Sequence, residues 1–285
     1  MGKLNNILTR IEKIFDRIEA AFPLYTEDFD WSNVYAAKWK IKTQNIRFLE
    51  PLNFIPDLTF NQLHNIHSQK KIVERNTRQF INGLPANNIL LTGARGTGKS
   101  SLIRACLVEF FEKGLRMIEV NREAIVDIDL ILDKIKNRPE KFIIFCDDLS
   151  FEEGEYGYKS LKVALDGSLS STFRNILIYA TSNRKHLLPE KISENSNYFE
   201  NSDLNFSGNL EEKMALSERF GLCLTFYPFG QNEYLTIVRG WLTEFGLKES
   251  EIIQAEKEAL IWALNRGSRS GRVARQFACD WVGRV

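Results

Sequence analysis

Apolar residues at the start of the chain follow a helical spacing. Over residues 4–18 they recur three or four positions apart with charged residues between them, which predicts an amphipathic helix. Trp31, Tyr35 and Trp39 repeat at a spacing of four and predict a second short helix with an aromatic face. That face would pack inside the protein, as most aromatic stripes do, or bind a partner. We therefore expect an N-terminal helical segment over residues 1–56.

The pattern changes after Pro51 and Pro56, which favour a linker near residues 50–60. From there, short apolar runs alternate with helical periodicity, as in an α/β fold whose mostly parallel sheet is sandwiched by helices. The predicted strands cover residues 89–92, 116–120, 142–146, 176–180 and 222–226. The predicted helices between them cover residues 101–111, 128–135 and 161–165. Residues 189–209 have few apolar anchors and predict a mobile surface insertion.

Helical periodicity returns after Pro228, where the run of strands stops. The predicted helices of this last region cover residues 234–242, 252–264 and 273–282. We therefore expect an α/β nucleotide-binding domain over residues 57–228 and a small helical lid over residues 229–285.

Composition and charge are those of an ordinary globular protein, with 44% hydrophobic and 26% charged residues. No run approaches the ~20 apolar residues that a membrane span needs. A formal net charge of +1 gives no overall signature of nucleic-acid binding, although it leaves room for a local basic face. The four cysteines fit neither a metal-ligand spacing nor a secreted disulfide framework. We therefore expect reduced core thiols in a cytoplasmic protein without membrane contact.

A phosphate-binding motif follows the strand predicted at residues 89–92. Residues 93–100 fit the pattern G-x-x-x-x-G-K-[ST], and they lie between a strand and a helix as the motif requires. The motif consists of Gly93, Ala94, Arg95, Gly96, Thr97, Gly98, Lys99 and Ser100. Its glycines let successive backbone N–H groups face the phosphates, and the start of the helix adds the positive end of its dipole.

The last residues of the motif carry the charge and the metal chemistry. Lys99 would neutralise the β- and γ-phosphate oxygens of ATP, and the Ser100 hydroxyl would coordinate Mg²⁺. Ser101, the next residue, completes the expected nucleotide contacts. The sequence therefore predicts ATP and Mg²⁺ as cofactors.

Two carboxylates end the apolar run at residues 142–146. A carboxylate in this position can hold the magnesium ion through its water shell, and its neighbour can orient or activate a water molecule for attack on the γ-phosphate. We assign the first role to Asp147 and the second to Asp148. The alternative is a solvated acidic turn.

These motifs together resemble the AAA+ branch of the P-loop ATPases, from about residue 57 to the end of the chain. The resemblance is strongest to a bacterial group defined as domain of unknown function 815, through residues 85–91, 93–101 and 217–222. It implies that Asn183, after the strand at 176–180, is the polar sensor of the γ-phosphate or the attacking water. It also implies that Arg219 is an arginine finger that reaches the ATP site of a neighbouring subunit.

The same resemblance implies a phosphate-sensing arginine in the lid. Arg272 is the better match, and Arg275 is the substitute. Arg219 and Arg272 could instead be ordinary surface charges. One position departs from the family pattern, because many AAA+ members have Glu where this chain has Asp148. The shorter carboxylate needs a closer approach to water, so we expect slow hydrolysis.

Two functional hypotheses follow. In the first, a homo-oligomeric AAA+ ATPase hydrolyses ATP with Mg²⁺ at a subunit interface, and thereby remodels or loads a macromolecular partner, protein or nucleic acid. In the second, a slowly hydrolysing binding module is switched by ATP, as Asp148 and the N-terminal amphipathic helix suggest.

Two further features leave alternatives open. Residues 151–158 contain Tyr156 and Tyr158 and would form a mobile substrate loop or a turn whose rings pack on the sheet. The arginines near the C-terminus would form a nucleic-acid face or serve as sensor and lid ion pairs. They are Arg266, Arg269, Arg272, Arg275 and Arg284.

Overall fold

The computed structural model describes residues 30–43, 46–52, 58–151, 156–166, 174–183 and 216–284. The helix predicted at residues 4–18 and the insertion predicted at residues 189–209 lie outside these ranges. Both stay predictions.

A seven-stranded sheet forms the centre of the described structure. Its strands are β1 (Ala36–Thr43), β2 (Ile46–Leu52), β3 (Ile89–Gly93), β4 (Leu115–Val120), β5 (Lys141–Cys146), β6 (Ile176–Ser182) and β7 (Leu222–Phe226). They lie in the order β2-β1-β4-β5-β6-β3-β7. β1 and β2 pair antiparallel, and the other described neighbours pair in parallel. The prediction of a mostly parallel sheet is confirmed.

Helices cover the sheet and form the C-terminal region. They are α1 (His67–Ile81), α2 (Lys99–Phe110), α3 (Ile128–Ile135), α4 (Tyr156–Asp166), α5 (Gln231–Glu244), α6 (Glu249–Asn265) and α7 (Gly271–Val282). The six helices predicted after residue 100 are present, with longer ends for most. The sequence did not indicate α1, because Asn76 and Thr77 form half of its buried face and interrupt the apolar spacing.

Strand β3 shows why both sides of the sheet are buried. Its residues Ile89 and Leu91 face one hydrophobic core, which also contains the apolar side chains of α1, α2 and the C-terminal helices. Leu90 faces the second core, which contains those of α3 and α4. Successive side chains of a strand point to opposite faces, so a continuous apolar run is what a strand between two cores needs.

The aromatic stripe at the start of the described chain does not form a helix, so that prediction is wrong. Trp31 lies in a turn, and Trp39 lies in β1, which pairs with β2 and β4. A spacing of four places residues on one face of a helix, but it also places them on one face of a strand. The packing alternative for Trp31 and Trp39 is confirmed, since both are buried in the core of α3 and α4.

The N-terminal boundary changes with this correction. Residues 36–52 are strands of the central sheet and not part of a separate helical segment. The predicted linker at residues 50–60 overlaps the end of β2, and residues 53–57 lie outside the described ranges.

The structure divides the tyrosines of residues 151–158 between the two alternatives. Tyr158 is buried in α4, and its ring contacts Phe151 edge-on, with centroids 5.8 Å apart. Tyr156 begins α4 and is 80% exposed. Residues 152–155 lie outside the described part of the chain, so the question of a substrate loop stays open there.

The cysteines also differ from one another. Cys106 and Cys146 are buried, and burial raises the pKa of each thiol to about 12. Cys223 and Cys279 are exposed, so the prediction that all four are core thiols is wrong for these two. All four are free thiols.

A buried carboxylate joins the β1–β2 hairpin to the rest of the sheet. Asp127 is 4% exposed and accepts a hydrogen bond from Trp39 Nε1 at 3.1 Å. Arg47 Nε on β2 donates to both Asp127 oxygens, at 2.8 and 2.9 Å. One acid therefore ties both strands of the hairpin to the segment before α3.

We expect Asp127→Ala to lower the free energy of unfolding by about 2–3 kcal/mol, because hydrogen bonds to a charged group are lost and the Trp39 indole N–H stays buried without its acceptor. Equilibrium urea unfolding measures the change. Glu50→Gln, which removes the exposed ion pair between Lys40 and Glu50, is the control and should cost less than about 0.5 kcal/mol. Equal losses in the two variants would contradict the anchoring role of Asp127.

Candidate functional site

The loop between β3 and α2 needs its glycines. Gly93, Gly96 and Gly98 have φ angles of 118°, 71° and 97°, in the left-handed region that side chains disfavour. A Cβ atom at Gly93 would lie 2.0 Å from the Phe226 carbonyl oxygen, and one at Gly96 would lie 2.7 Å from the Ser270 Cβ. The loop therefore approaches both β7 and the start of α7 more closely than any side chain allows.

Main-chain hydrogen bonds fix the loop from both sides. The Ala94 N–H donates to the Phe226 carbonyl oxygen at 3.1 Å, and the Gly271 N–H donates to the Gly96 carbonyl oxygen at 2.8 Å. Thr97 Oγ1 donates to the Ala94 carbonyl oxygen at 2.8 Å. The last strand and the last helix thus determine the shape of the loop.

Lys99 stands at the start of α2 with its ammonium group turned under the loop. Its Nζ donates to the carbonyl oxygens of Gly93 and Ala94, each at 2.7 Å, and to Asn183 Oδ1 at 3.1 Å. Only 6% of the residue is exposed. Burial lowers the pKa of Lys99, while the charges of Asp148 and Asp147 act in the opposite direction. The cation therefore lies where the glycines turn the chain and the helix dipole is positive.

Asp147 follows β5 and is surrounded by donors. Its Oδ1 accepts from Ser100 Oγ at 2.5 Å and from Thr181 Oγ1 at 2.7 Å. Its Oδ2 accepts from Arg104 Nη2 at 3.3 Å. The carboxylate that the sequence assigned to a metal ion therefore contacts the hydroxyl assigned to the same ion.

Asp148 occupies an unusual backbone conformation. Its φ angle of 52° lies in the left-handed region, which is uncommon for a residue with a side chain. Asn183 Nδ2 donates to Asp148 Oδ1, and the same amide accepts from Lys99 through its Oδ1. One amide therefore connects the lysine with the second carboxylate.

These groups contribute to the lining of a cleft of about 810 Å³. The predicted site residues that line it are Arg95, Gly96, Thr97, Gly98, Lys99, Ser100, Ser101, Asp147, Asp148, Asn183 and Arg272. Gly93 and Ala94 contribute the carbonyl groups that hold Lys99 and do not line the cleft. Arg275 also lines it, with its guanidinium 5.3 Å from the Trp241 ring centroid, so the structure brings both lid arginines to the site.

Arg219 lies elsewhere. It does not line the cleft of its own chain, and its Nε donates to Asp166 Oδ1 on α4 at 2.5 Å. This position is compatible with a finger for a neighbouring subunit and also with a surface ion pair. The finger stays a prediction.

Another part of the cleft lining is mainly apolar. Its walls come from the segment before α1, the residues after β7 and helix α5: Leu58, Leu63, Ile66, Phe229, Ile237 and Trp241. His64 also lines it, and its ring packs so closely on α5 that a Cβ at Gly240 would lie 2.2 Å from Nε2. Burial lowers the pKa of His64, which favours the neutral imidazole near pH 7.

Sequence reasoning missed three parts of this site. Arg104 lies one helical turn after Ser100, and that i, i+4 spacing could have placed both on one face of α2. Thr181 lies at the polar end of β6, and the sequence analysis assigned the polar sensor to Asn183, two residues later. The apolar wall before α1 carries no motif, because its residues meet α5 only through tertiary packing.

Comparison with known proteins identifies the family. Residues 32–285 match the family model described as "Protein of unknown function (DUF815)". The chain belongs to the DUF815 family. No curated protein matches it in sequence.

Two solved structures resemble this DUF815 protein in fold. One is Aeropyrum pernix Orc1 in complex with DNA, with a TM-score of 0.52 and 16% identity over 78% of this chain and 59% of that chain. The other is a mutant of Thermotoga maritima RuvB, with a TM-score of 0.52 and 14% identity over 79% of this chain and 64% of that chain. This chain thus spans less than two thirds of either protein. The DUF815 protein has the AAA+ P-loop NTPase fold, a nucleotide-binding ATPase fold.

Within the described ranges, no helix combines the length and the apolar character of a membrane-crossing segment.

We expect Gly93→Ala to lower the free energy of unfolding by about 3–5 kcal/mol, because left-handed strain adds to a clash with the Phe226 carbonyl oxygen. Gly114→Ala is the matched control. Its φ of 92° is similarly left-handed, but nothing lies within 4 Å of the added Cβ, so the cost should be only about 1–2 kcal/mol. Urea unfolding compares the two. Equal costs would mean that the contact with β7 does not constrain the loop.

Proposed function

We propose that this DUF815 protein binds ATP with Mg²⁺ in the cleft and hydrolyses it. The observation that carries the proposal is that the constrained loop, the Lys99 ammonium and the Ser100–Asp147 pair converge in one cleft. The apolar part of the lining, which includes Ile66 and Trp241, has the character that suits a nucleotide base.

The loop supports phosphate binding through its unpaired N–H groups and its cation. Helix α2 begins at Lys99, so the first N–H groups of the helix have no partner inside it and face the loop. The Lys99 ammonium has three N–H donors, and they are directed to the Gly93 carbonyl, the Ala94 carbonyl and the Asn183 side chain. Phosphate oxygens would compete for them as stronger, charged acceptors.

The oxygen donors beside the loop fit a magnesium ion. Ser100 donates its only hydroxyl proton to Asp147, so its lone pairs stay available to a cation. A hydroxyl, a carboxylate and phosphate oxygens are the hard ligands that Mg²⁺ prefers. When bound, the ion would neutralise charge on the β- and γ-phosphate oxygens. We assign Ser100 and Asp147 to hold it.

Asp148 and Asn183 are our choice for the hydrolytic groups. Asp148 would accept the proton of the attacking water, and Asn183 would orient that water or the γ-phosphate. The contact between them holds the carboxylate in the lining of the cleft, where Asn183 links it to the Lys99 ammonium. Arg272 would contact the phosphates from the lid, with Arg275 as the substitute.

Arg219 supports an oligomer in which each site is completed by a neighbour. The cleft of one chain contains Arg95, Arg104, Arg272 and Arg275 but not Arg219. We propose a cytoplasmic homo-oligomer that uses ATP to remodel or load a macromolecular partner, protein or nucleic acid. Free cysteines support a reducing compartment, and the Orc1 structure with DNA makes nucleic acid one partner to test.

Lys99→Ala should weaken Mg-ATP affinity by roughly 10- to 100-fold, because charged hydrogen bonds contribute about 1.5–3 kcal/mol. Isothermal titration calorimetry measures this directly. The control is Lys71→Ala, an exposed lysine of α1, which should bind like the unmodified protein. The proposed function fails if the unmodified protein gives no heat with Mg-ATP, or if Lys99→Ala gives the same heat.

Arg219→Ala should lower ATP turnover by roughly 10³-fold or more without weakening ATP binding, because an arginine finger acts on the transition-state charge. Turnover per subunit should also rise with protein concentration. Arg78→Ala, which removes the Arg78–Glu74 surface pair, is the control. A mixture of Arg219→Ala and Lys99→Ala chains should recover activity, since the second supplies the arginine that the first lacks. Absence of recovery, with turnover independent of concentration, would contradict a finger in trans.

One observation favours the alternative, an ATP-switched binding module with slow hydrolysis. Asp148 has a short side chain, and its carboxylate already accepts a hydrogen bond from Asn183. Both features make it a weaker proton acceptor for the attacking water. Tight ATP binding with turnover near zero at every protein concentration would select this alternative. Release of a bound partner by ADP would support it further.

A further inference from the structure

The Thr181 hydroxyl is hydrogen-bonded to both aspartates of the site, to the carboxylate of Asp147 and to the backbone N–H of Asp148. Thr181 is 2% exposed at the polar end of β6. Its Oγ1 accepts from the Asp148 N–H at 2.9 Å and lies 2.7 Å from Asp147 Oδ1. The adjacent Leu149 N–H donates to the Thr181 carbonyl oxygen at 2.6 Å. One residue of the neighbouring strand therefore holds the whole turn after β5.

The direction of each hydrogen bond in this group is determined by its chemistry. A backbone N–H can only donate, so Thr181 Oγ1 must be the acceptor for Asp148. An ionised carboxylate can only accept, so the single Thr181 proton goes to Asp147 Oδ1. Ser100 donates to the same oxygen. Both hydroxyl protons are thereby assigned, and the lone pairs of Ser100 Oγ stay free.

These hydrogen bonds determine the orientation of the Asp147 carboxylate. Its Oδ1 receives two hydroxyl donors, so the carboxylate cannot rotate without losing both. Its Oδ2 accepts a hydrogen bond from Arg104, so this oxygen faces a positive charge. At Asp148, the hydrogen bond that its N–H donates to Thr181 Oγ1 offsets part of the cost of a φ angle of 52°.

We propose that Thr181 is a positioning residue for the magnesium carboxylate, one that directs Ser100 and Asp147 toward the cation without touching it. This rests on the proposed function. Groups that orient metal ligands typically affect metal affinity by about 10- to 100-fold when they are removed. The Mg²⁺-dependent part of ATP affinity should therefore depend on the Thr181 hydroxyl, whereas binding of ATP without metal should not.

The test measures ATP affinity by calorimetry with excess EDTA and across a Mg²⁺ titration. Thr181→Val keeps the shape of the side chain and loses the hydroxyl. We expect a roughly 10- to 100-fold higher Mg²⁺ requirement for tight binding, with little change in EDTA. Thr181→Ser, which restores the hydroxyl, should return the Mg²⁺ requirement to within about threefold of the original value. Thr181→Ala serves if the valine variant does not fold.

The matched control is Thr77→Val. Thr77 is also fully buried and hydrogen-bonded, with Oγ1 2.9 Å from both the Val73 carbonyl oxygen and Tyr179 Oη, but it lies on α1 outside the cleft. The Thr77→Val protein should be less stable than the unmodified protein and should need the same Mg²⁺ concentration for tight ATP binding. An unchanged Mg²⁺ requirement in both hydroxyl-free Thr181 variants overturns the inference, as does failure of serine to rescue. If the unmodified protein shows no Mg²⁺-dependent ATP binding, the proposed function fails instead.

Discussion

The carbonyl oxygen of Phe226 is the contact on which the site depends. It accepts from the Ala94 N–H and leaves no space for a side chain at Gly93, so the end of β7 and the end of β3 are held at backbone distance. Gly271 at the start of α7 holds the other side of the loop through Gly96. The loop between β3 and α2 is therefore held by contacts with two distant parts of the chain, the end of β7 and the start of α7, and its shape depends on both being in place.

The charges of the site are organised around this loop. Lys99 is buried among carbonyl oxygens and one amide, and Asp147 and Asp148 balance part of the cost of burying it. Each of the two acids accepts a hydrogen bond from this edge of the sheet, Asp147 from Thr181 at the end of β6 and Asp148 from Asn183 just after it. The cleft therefore contains one cation and two acids that share polar partners. An anionic ligand could interact with the cation, and a metal ion could interact with the acids.

Ion pairs also connect the site with the hairpin at the edge of the sheet. Arg104 lies 3.3 Å from Asp147 and 3.9 Å from Glu119 on β4, measured between the charged atoms. Glu119 in turn pairs with Lys38 on β1, at 3.4 Å. The two strands that sequence reasoning interpreted as a helical segment are therefore part of the sheet that carries the site, and Asp127 joins them to it on the other side.

The sequence alone determined the α/β class and most of the described strands and helices, and it singled out the glycine-rich segment after β3 and the acids after β5, which line one cleft in the structure. Strands between two cores need continuous apolar runs, and a loop around phosphate needs glycine, lysine and serine at definite positions, so both leave local signals. Only the tertiary structure decided that Trp39 lies in a strand, because a spacing of four suits either element and pairing with β4 selects one. Only it brought Thr181, Arg104 and the apolar wall before α1 to the cleft. Their roles come from neighbours that are distant in sequence, and contacts of that kind leave no pattern along the chain.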